Sequence, residues 1–300
     1  MKPILKKIYR TIPWFIKDRL DFYRLFGRFP NVKNPKTFNE KVLFRKRNAC
    51  INDALYPTLA DKFLVREYVK SMIGTEYLIP LMASYDNSKD FACHMHEFSD
   101  FVLKPNHGAG MVKVVDGFIS EKDRGAILRE SSEWMKKDFS TISGEMHYKK
   151  IKRKLLVEKK IGDKGSVLTD YKIHLFKQKD DGFFFVLQLI DDRFKGDLSR
   201  TFYINNIDTP YSGSKKINAD IIPCLELAIL LSKKLMGNLE YARIDWYIDD
   251  EKLYFGEITL TPASGLGLGY GDELDNIMGG KWDLTLTNNI NHGFTHNLSI

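Results

Sequence analysis

Cysteine is scarce in this chain, and its placement excludes the common covalent and metal frameworks. Cys50, Cys93 and Cys224 are odd in number, far apart and without a CxxC pair. Neither a disulfide scaffold nor a zinc site is signalled, and a reducing compartment is expected. The run Cys93-His94-Met95-His96 has no second ligand pair at zinc-site spacing and is set aside. Long apolar runs are missing too: none approaches the roughly 18–20 residues needed to span a bilayer. The N-terminus has no clean apolar segment ending in a small-residue cleavage site, so the chain is expected in the cytoplasm. Also missing are a GxxxxGK loop ending in Ser or Thr and any RNP, KH or helix-turn-helix signature, so nucleic acid is not an expected partner.

What is present is a chain of 300 residues, 43% hydrophobic and 13% aromatic, enough for a substantial core in one large domain or two lobes. Its net charge of +7 is unevenly spread. Residues 1–28 hold eight Lys/Arg (Lys2, Lys6, Lys7, Arg10, Lys17, Arg19, Arg24, Arg28) against Asp18 and Asp21. Ile8, Ile12, Trp14, Phe15, Leu20, Phe22 and Phe26 are interleaved with them. That is the make-up of a basic amphipathic helix, bent at Pro13, for which two placements are open. It lies on an anionic membrane surface, or it packs on the protein body with its basic face in water.

Further along, Asn31 to Pro35 reads as a linker, and residues 39–47, 59–72, 124–137 and 221–236 read as helices. Short apolar segments at 78–81 and 101–103 read as strands. The second runs into Lys104-Pro105-Asn106-His107-Gly108-Ala109-Gly110 and a further strand from Met111. A lysine at a strand end followed by a small-residue loop lets backbone N–H groups and an ammonium approach a polyphosphate; a plain Gly-containing hairpin is the other reading. Residues 155–162 read as a strand that breaks into a hinge at Gly162. Alternation along 170–176 places Asp170, Lys172 and His174 on one face, with 183–190 as partner across Asp180-Asp181-Gly182.

Two strands near the C-terminus, 242–248 and 253–260, each carry an acid where a buried strand should carry a hydrophobe. Arg243, Asp245 and Tyr247 share one face of the first; by alternation Leu253, Phe255, Glu257 and Thr259 share one face of the second. A loop of odd length, such as 250–252, would set Asp245 opposite Glu257. Two facing carboxylates need a cation between them, and Mg²⁺, which completes its shell with water and phosphate, suits such a pair. A solvated edge hairpin is the alternative.

In their order along the chain these features resemble the ATP-grasp superfamily, and within it the TupA-like branch of bacterial surface-polysaccharide loci. The resemblance covers nearly the whole chain from about residue 30. It rests on the segments 34–41, 60–69, 102–110 and 170–172, and on Arg243-Ile244-Asp245 with Gly256-Glu257-Ile258-Thr259. It implies an α+β fold with ATP held between two α+β lobes, after a helical N-terminal region. The expected divisions are 1–30 for the basic segment, 31–156 for the helical region and first lobe, and 157–300 for the second lobe with the magnesium site.

By the same resemblance, Lys62 and Lys104 bind the ATP phosphates, and Gly108, Ala109 and Gly110, with Asn106 and His107, form the loop over them. Glu158, Lys160 and Ile161 form the adenine hinge, and Asp170 takes the ribose. Asp245 and Glu257 hold Mg²⁺, with Thr259 standing where the superfamily often has Asn. The implied activity is a carboxylate–amine ligase working through an acylphosphate, with a glycan or amino-acid carboxylate and an amine as substrates. The sequence offers no nucleophile of the enzyme's own. Arg243, Arg193 and Arg200 are candidate anion holders, and Lys172 and His174 candidate phosphate or proton-handling groups. A glycosyltransferase, for which Asp191-Asp192 or Asp249-Asp250 are poor metal motifs, and a glycan kinase remain as alternatives. The expected location is the cytoplasm, peripheral at the inner face of its membrane.

Overall fold

The computed structural model describes residues 9, 11–163, 168–191 and 199–289. The chain forms two compact units, Met1–Tyr68 with Ile79–Gly165 and Thr261–Gly279, and Val69–Leu78 with Ser166–Leu260 and Gly280–Ile300. Each is a helix-and-antiparallel-sheet layer, so the architecture is α+β, preceded by a helical N-terminal region.

In the first unit, helices α1 (Trp14–Phe26), α2 (Phe38–Arg47) and α3 (Leu55–Ala60) precede a four-stranded sheet. Pro13 stands just before the first residue of α1, where a missing N–H costs nothing, so it starts the helix rather than bending it. Thr37 and Glu40 start α2 with reciprocal side-chain caps. The single helix expected over 59–72 is broken in two. Asp61 Oδ1 accepts from the backbone N–H groups of Phe63 and Leu64 at 2.8 and 3.3 Å. That local acceptor ends α3 and opens a new helix, α4 (Val65–Ile73).

The sheet runs β1 (Leu81–Tyr85), β4 (Leu155–Lys159), β2 (Ser99–Pro105), β3 (Lys113–Phe118), antiparallel throughout. The strand expected at 78–81 therefore lies later, from Leu81. The boundary expected at 156/157 falls inside β4, all of which belongs to this unit. Alternation sends Phe101 and Leu103 of β2 and Leu155 and Val157 of β4 to one face. There they meet Ile127 and Trp134 of α5 (Glu121–Lys136) in one buried cluster. The other face carries Lys104 and Glu158.

In the second unit a five-stranded antiparallel sheet has the order β7 (Ser199–Ile204), β6 (Phe183–Asp191), β5 (Asp170–Lys177), β8 (Tyr241–Asp249), β9 (Lys252–Thr259). Helix α6 (Ile222–Met236) lies against β5, β8 and β9 and buries Leu225, Ala228, Leu231 and Leu235. Ile173, Leu175, Ala242, Ile244 and Trp246 are buried, and Trp246 Nε1 donates to Ser232 Oγ of α6 at 2.8 Å, which fixes the apolar face as the helix face. Asp170, Lys172, His174, Arg243 and Asp245 take the opposite one.

The turn between β8 and β9 is shorter than expected. Asp249 pairs with Lys252, leaving a two-residue turn of Asp250 and Glu251, both at positive φ (47° and 57°) as a tight hairpin of primed type requires. An even turn alone would pair Asp245 with Gly256. The register shifts between Asp245 and Trp246, and beyond that bulge Asp245 pairs with Glu257 and Arg243 with Thr259. The expected opposition is thus produced by a bulge, not by an odd loop. As a consequence Phe255 leaves the face of Glu257 and meets Trp246, ring centroids 5.9 Å apart. Glycine fits the bulge because a Cβ at Gly256 would sit 3.0 Å from the Asp245 carbonyl oxygen and 3.1 Å from the Tyr247 ring.

Among the described residues three histidines are buried. Burial holds His147 at about 3 and His107 at about 4, and pushes His174 well below the ordinary value. These groups are neutral when folded and bind protons once unfolded, below about pH 6.5. Their contribution is therefore fully present above pH 6.5 and is lost as pH falls toward their folded values. Each adds up to about 1.4 kcal/mol per pH unit to that loss. Urea midpoints measured between pH 7 and 5 should fall steadily, with a shallower slope for His147→Gln.

Candidate functional site

Each unit places an ionic cluster on the sheet face that its own helix leaves open. In the second unit the centre is Asp245, 2% exposed on β8. Register sets Lys172 of β5 on one side of it and Glu257 of β9 on the other. The Lys172 ammonium donates to Asp245 Oδ2 at 2.5 Å and stands 3.6 Å from Asp170. Arg243, two residues back on the same face, grips Asp245 through Nε at 2.6 Å and Nη2 at 2.8 Å. The same Nη2 reaches Glu257 Oε1 at 3.2 Å and Thr259 Oγ1 at 2.8 Å. Thr259 donates to Glu257 at 3.1 Å. Six of the expected residues, Asp170, Lys172, Arg243, Asp245, Glu257 and Thr259, are thereby brought together.

The donor set is one of hard oxygens, as Mg²⁺ requires. The formal charge decides under what condition it fits. Asp170, Asp245 and Glu257 bring three negative charges and Lys172 and Arg243 two positive ones, leaving one net negative charge. A divalent ion alone would change that sum to one net positive charge, and it would leave most of its shell to be filled by water or by phosphate oxygens. Asp245 is already gripped by two cations, whereas Glu257 has a side chain 31% exposed. Glu257 is therefore the more approachable ligand, and Thr259 beside it has the hydroxyl to hold a water. Among the described residues no group of three or more His, Cys, Asp or Glu is arranged to hold an ion unaided.

His174 shares the face but is fully buried, with Nδ1 2.9 Å from the Tyr241 hydroxyl and Nε2 3.4 Å from Gln188 Oε1. Burial first, then the neighbouring Arg243 and Lys172 charges, hold it neutral. The expectation that it handles substrate protons meets a ring with no exposed surface. Arg200 is exposed on β7, away from the paired acids, and Arg193 lies outside the described residues.

In the first unit Lys104, at the end of β2, donates to Glu158 Oε2 of β4 at 2.6 Å. Arg66 of α4 reaches the same carboxylate through Oε1 at 3.4 Å, and its second nitrogen donates to the Ile79 carbonyl at 2.8 Å. Arg66 was given no role in the sequence reading. Its one signal was its position four residues after Lys62. Lys62 ties down the glycine loop, donating to the Gly108 carbonyl at 2.8 Å. Gly108, at φ 76°, packs so closely that a Cβ would stand 2.1 Å from the Phe139 ring, while Ala109 and Gly110 are exposed.

Two loop residues face inward instead. Asn106 is fully buried, donating to Asp61 and the Lys152 carbonyl at 2.8 and 2.9 Å and accepting from the Lys154 N–H at 2.7 Å. It braces the loop from within. His107 is 2% exposed, with Nε2 3.2 Å from the Lys137 carbonyl.

At the hinge, the N–H groups of Lys159 and Lys160 donate to the Pro80 and Asp100 carbonyls, both at 2.9 Å. Lys160 Nζ binds Asp116 at 2.6 Å and the Asp163 carbonyl at 2.9 Å. A cavity of about 320 Å³ adjoins this strand, lined by Pro80, Met82, Ser99, Asp100, Lys159 and Lys160. Ile161, the last expected hinge residue, is half-buried.

Comparison with known proteins adds the following. The family model described as TupA-like ATPgrasp matches residues 40–282. No curated protein matches the chain. Among solved structures, the chain is similar to a D-alanine-D-alanine ligase from Helicobacter pylori, with 19% identity and TM-score 0.47, over 75% of this chain and 61% of that one. It is also similar to an N5-carboxyaminoimidazole synthetase from Staphylococcus aureus (17%, TM-score 0.44, 77% of this chain and 51% of that one). A biotin carboxylase from Campylobacter jejuni follows at 14% identity and TM-score 0.45, over 75% of this chain and 47% of that one. The chain thus spans about half to three-fifths of the length of these proteins.

The charge pairing can be tested directly. Asp245→Ala leaves Lys172 with only Asp170, 3.6 Å away, and Arg243 with only Glu257 and Thr259, and should cost about 3–5 kcal/mol of stability. Adding Lys172→Met removes one of the two surplus cations and should restore part of that loss in urea unfolding; a double variant less stable than the sum of the two single variants would contradict the pairing.

Proposed function

The chain belongs to the TupA-like ATP-grasp family, and from that premise we propose that it is an ATP-dependent carboxylate–amine ligase. The observation that carries this reading is the Asp245–Glu257 opposition flanked by Lys172 and Arg243, a set of hard oxygens on which Mg²⁺ would still need water or phosphate oxygens to complete its shell. Glu257 and Asp245, with Thr259 beside them, would hold Mg²⁺, which would supply charge neutralisation on phosphate oxygens.

The other groups fit the same substrate. Lys104 and Lys62 are the ammonium groups offered to phosphates. Gly108, Ala109 and Gly110 give the backbone room for close approach. The 158–161 strand end and its adjoining cavity are the place offered to the base, and Asp170 to the ribose. Arg243 is a positioning residue, since its guanidinium orients Asp245, Glu257 and Thr259 at once.

In the reaction proposed, a substrate carboxylate oxygen attacks the γ-phosphorus of ATP and the bond to ADP breaks, giving an acylphosphate. An amine then attacks the acyl carbon, loses a proton as the C–N bond forms, and inorganic phosphate leaves. The protein contributes fixed positive charge rather than a nucleophile, in accord with charge stabilisation as the main demand of phosphoryl transfer. The family's association with surface-polysaccharide loci suggests a uronic-acid or amino-acid carboxylate of a capsule, O-antigen or teichuronopeptide as the acyl donor.

Incubation with ATP, Mg²⁺, hydroxylamine and a uronic-acid oligosaccharide should yield a hydroxamate together with ADP and phosphate. A stable ³²P-labelled glycan from [γ-³²P]ATP would instead establish a kinase. Lys104→Gln and Glu257→Gln should each lower turnover by about 100-fold or more at saturating ATP and Mg²⁺, the range seen when one preorganised charge is removed. Near wild-type turnover in either variant would remove that residue from the proposal.

A further inference from the structure

Helix α1 turns an acid-free, apolar and cationic face to water. Its exposed positions are Phe15, Ile16, Arg19, Leu20, Tyr23 and Arg24, which at 100° per residue cover about half of the helix circumference. Four of the six are large apolar residues, Phe15 at 61%, Tyr23 at 49%, Leu20 at 42% and Ile16 at 38% exposed, and Phe29 stacks on Tyr23 at 4.7 Å to lengthen the patch. Large apolar residues gathered with cations on one exposed helix face mark an interaction surface.

Both acids of the helix are turned aside. Asp18 is buried, binding Lys46 Nζ at 2.8 Å and Arg47 Nε at 2.5 Å. Asp21 accepts from the Tyr9 hydroxyl and lies 3.5 Å from one Arg24 nitrogen. Trp14 is held under the cations of Lys17, Lys46 and Arg47, at 4.5, 6.0 and 5.6 Å from its ring. The packed side is thus pinned by charge, and the outer side keeps aromatic, aliphatic and guanidinium groups in one convex strip.

We propose that this face seats the protein on an anionic lipid bilayer, with α1 lying in the plane of the headgroups. Amphipathic helices dock in this way when an apolar strip is bordered by cations. A second copy is a poor occupant, because face-to-face pairing would bring Arg19 and Arg24 against their own kind, with only Asp21 at the edge of the face, already 3.5 Å from Arg24, to answer them. Among the described residues no helix is long and apolar enough to cross a membrane, so the contact is one of surface attachment.

The test is flotation of the full chain with phosphatidylcholine vesicles, alone or containing phosphatidylglycerol. The protein should float with the phosphatidylglycerol vesicles only, and less as salt rises. Arg19→Gln with Arg24→Gln should weaken partitioning roughly 30-fold, as expected for two cations near an anionic surface. Phe15→Ser with Leu20→Ser should abolish it. All four positions are exposed, so circular dichroism and urea midpoints should stay at wild-type values. No flotation at low salt, flotation indifferent to both double variants, or equal binding to phosphatidylcholine alone would overturn the proposal. So would a dimer in solution that Phe15→Ser with Leu20→Ser dissolves.

Discussion

The second unit is organised around a carboxylate that cannot be left alone. Asp245 sits on a central strand at 2% exposure, where an unpaired charge would cost several kcal/mol. It is tolerable because Lys172 and Arg243 both reach it. The Lys172 contact exists only in the register that sets β5 beside β8, whereas Arg243 reaches Asp245 along its own strand. The bulge at Gly256 and the tight turn at Asp250-Glu251 then set Glu257 on the other side of Asp245. The reading of the site as a phosphate and Mg²⁺ centre depends on it as well.

The same solution recurs elsewhere in the chain. Glu158 is held by Lys104 and Arg66, and Asp18 by Lys46 and Arg47. In each case one buried acid is shared between an ammonium and a guanidinium, which leaves a local excess of positive charge. Beside Glu158 that excess lies at the end of a strand followed by a glycine loop, where an anion can approach. Around Asp245 it is reversed by Asp170 and Glu257, which invite a cation. At Asp18 the pairing works inward and rids the exposed face of α1 of negative charge.

Much of this was legible in the chain. Period-two alternation correctly gathered Asp170, Lys172 and His174 on one face of their strand, and Arg243 with Asp245 on one face of theirs. Residues 124–137 and 221–236 carried enough helical periodicity to be placed within a few residues of their observed ends. The opposition of Asp245 and Glu257 was anticipated for the wrong reason, since the turn is even and the bulge supplies the missing residue. The break at Asp61 was hidden because an aspartate inside an apolar-periodic run reads as a solvated helix position until its acceptor finds two backbone N–H groups. Asn106 and His107 looked like loop groups open to a ligand, but long-range partners at Asp61, Lys137, Lys152 and Lys154 draw them inside.

Taken by itself, the sequence determined which side chains share a strand face, where basic and apolar residues interleave, and that acids occupy strands meant for hydrophobes. These are consequences of backbone geometry repeated every two or 3.6 residues, and they need no knowledge of distant neighbours. Register, burial and ion partners were decided only by tertiary structure. A bulge changes the facing of every residue beyond it, as Phe255 illustrates, and an acid becomes a site or a strut according to which cations the neighbouring strands deliver. Those outcomes depend on pairings between segments up to tens of residues apart, and no local periodicity encodes them.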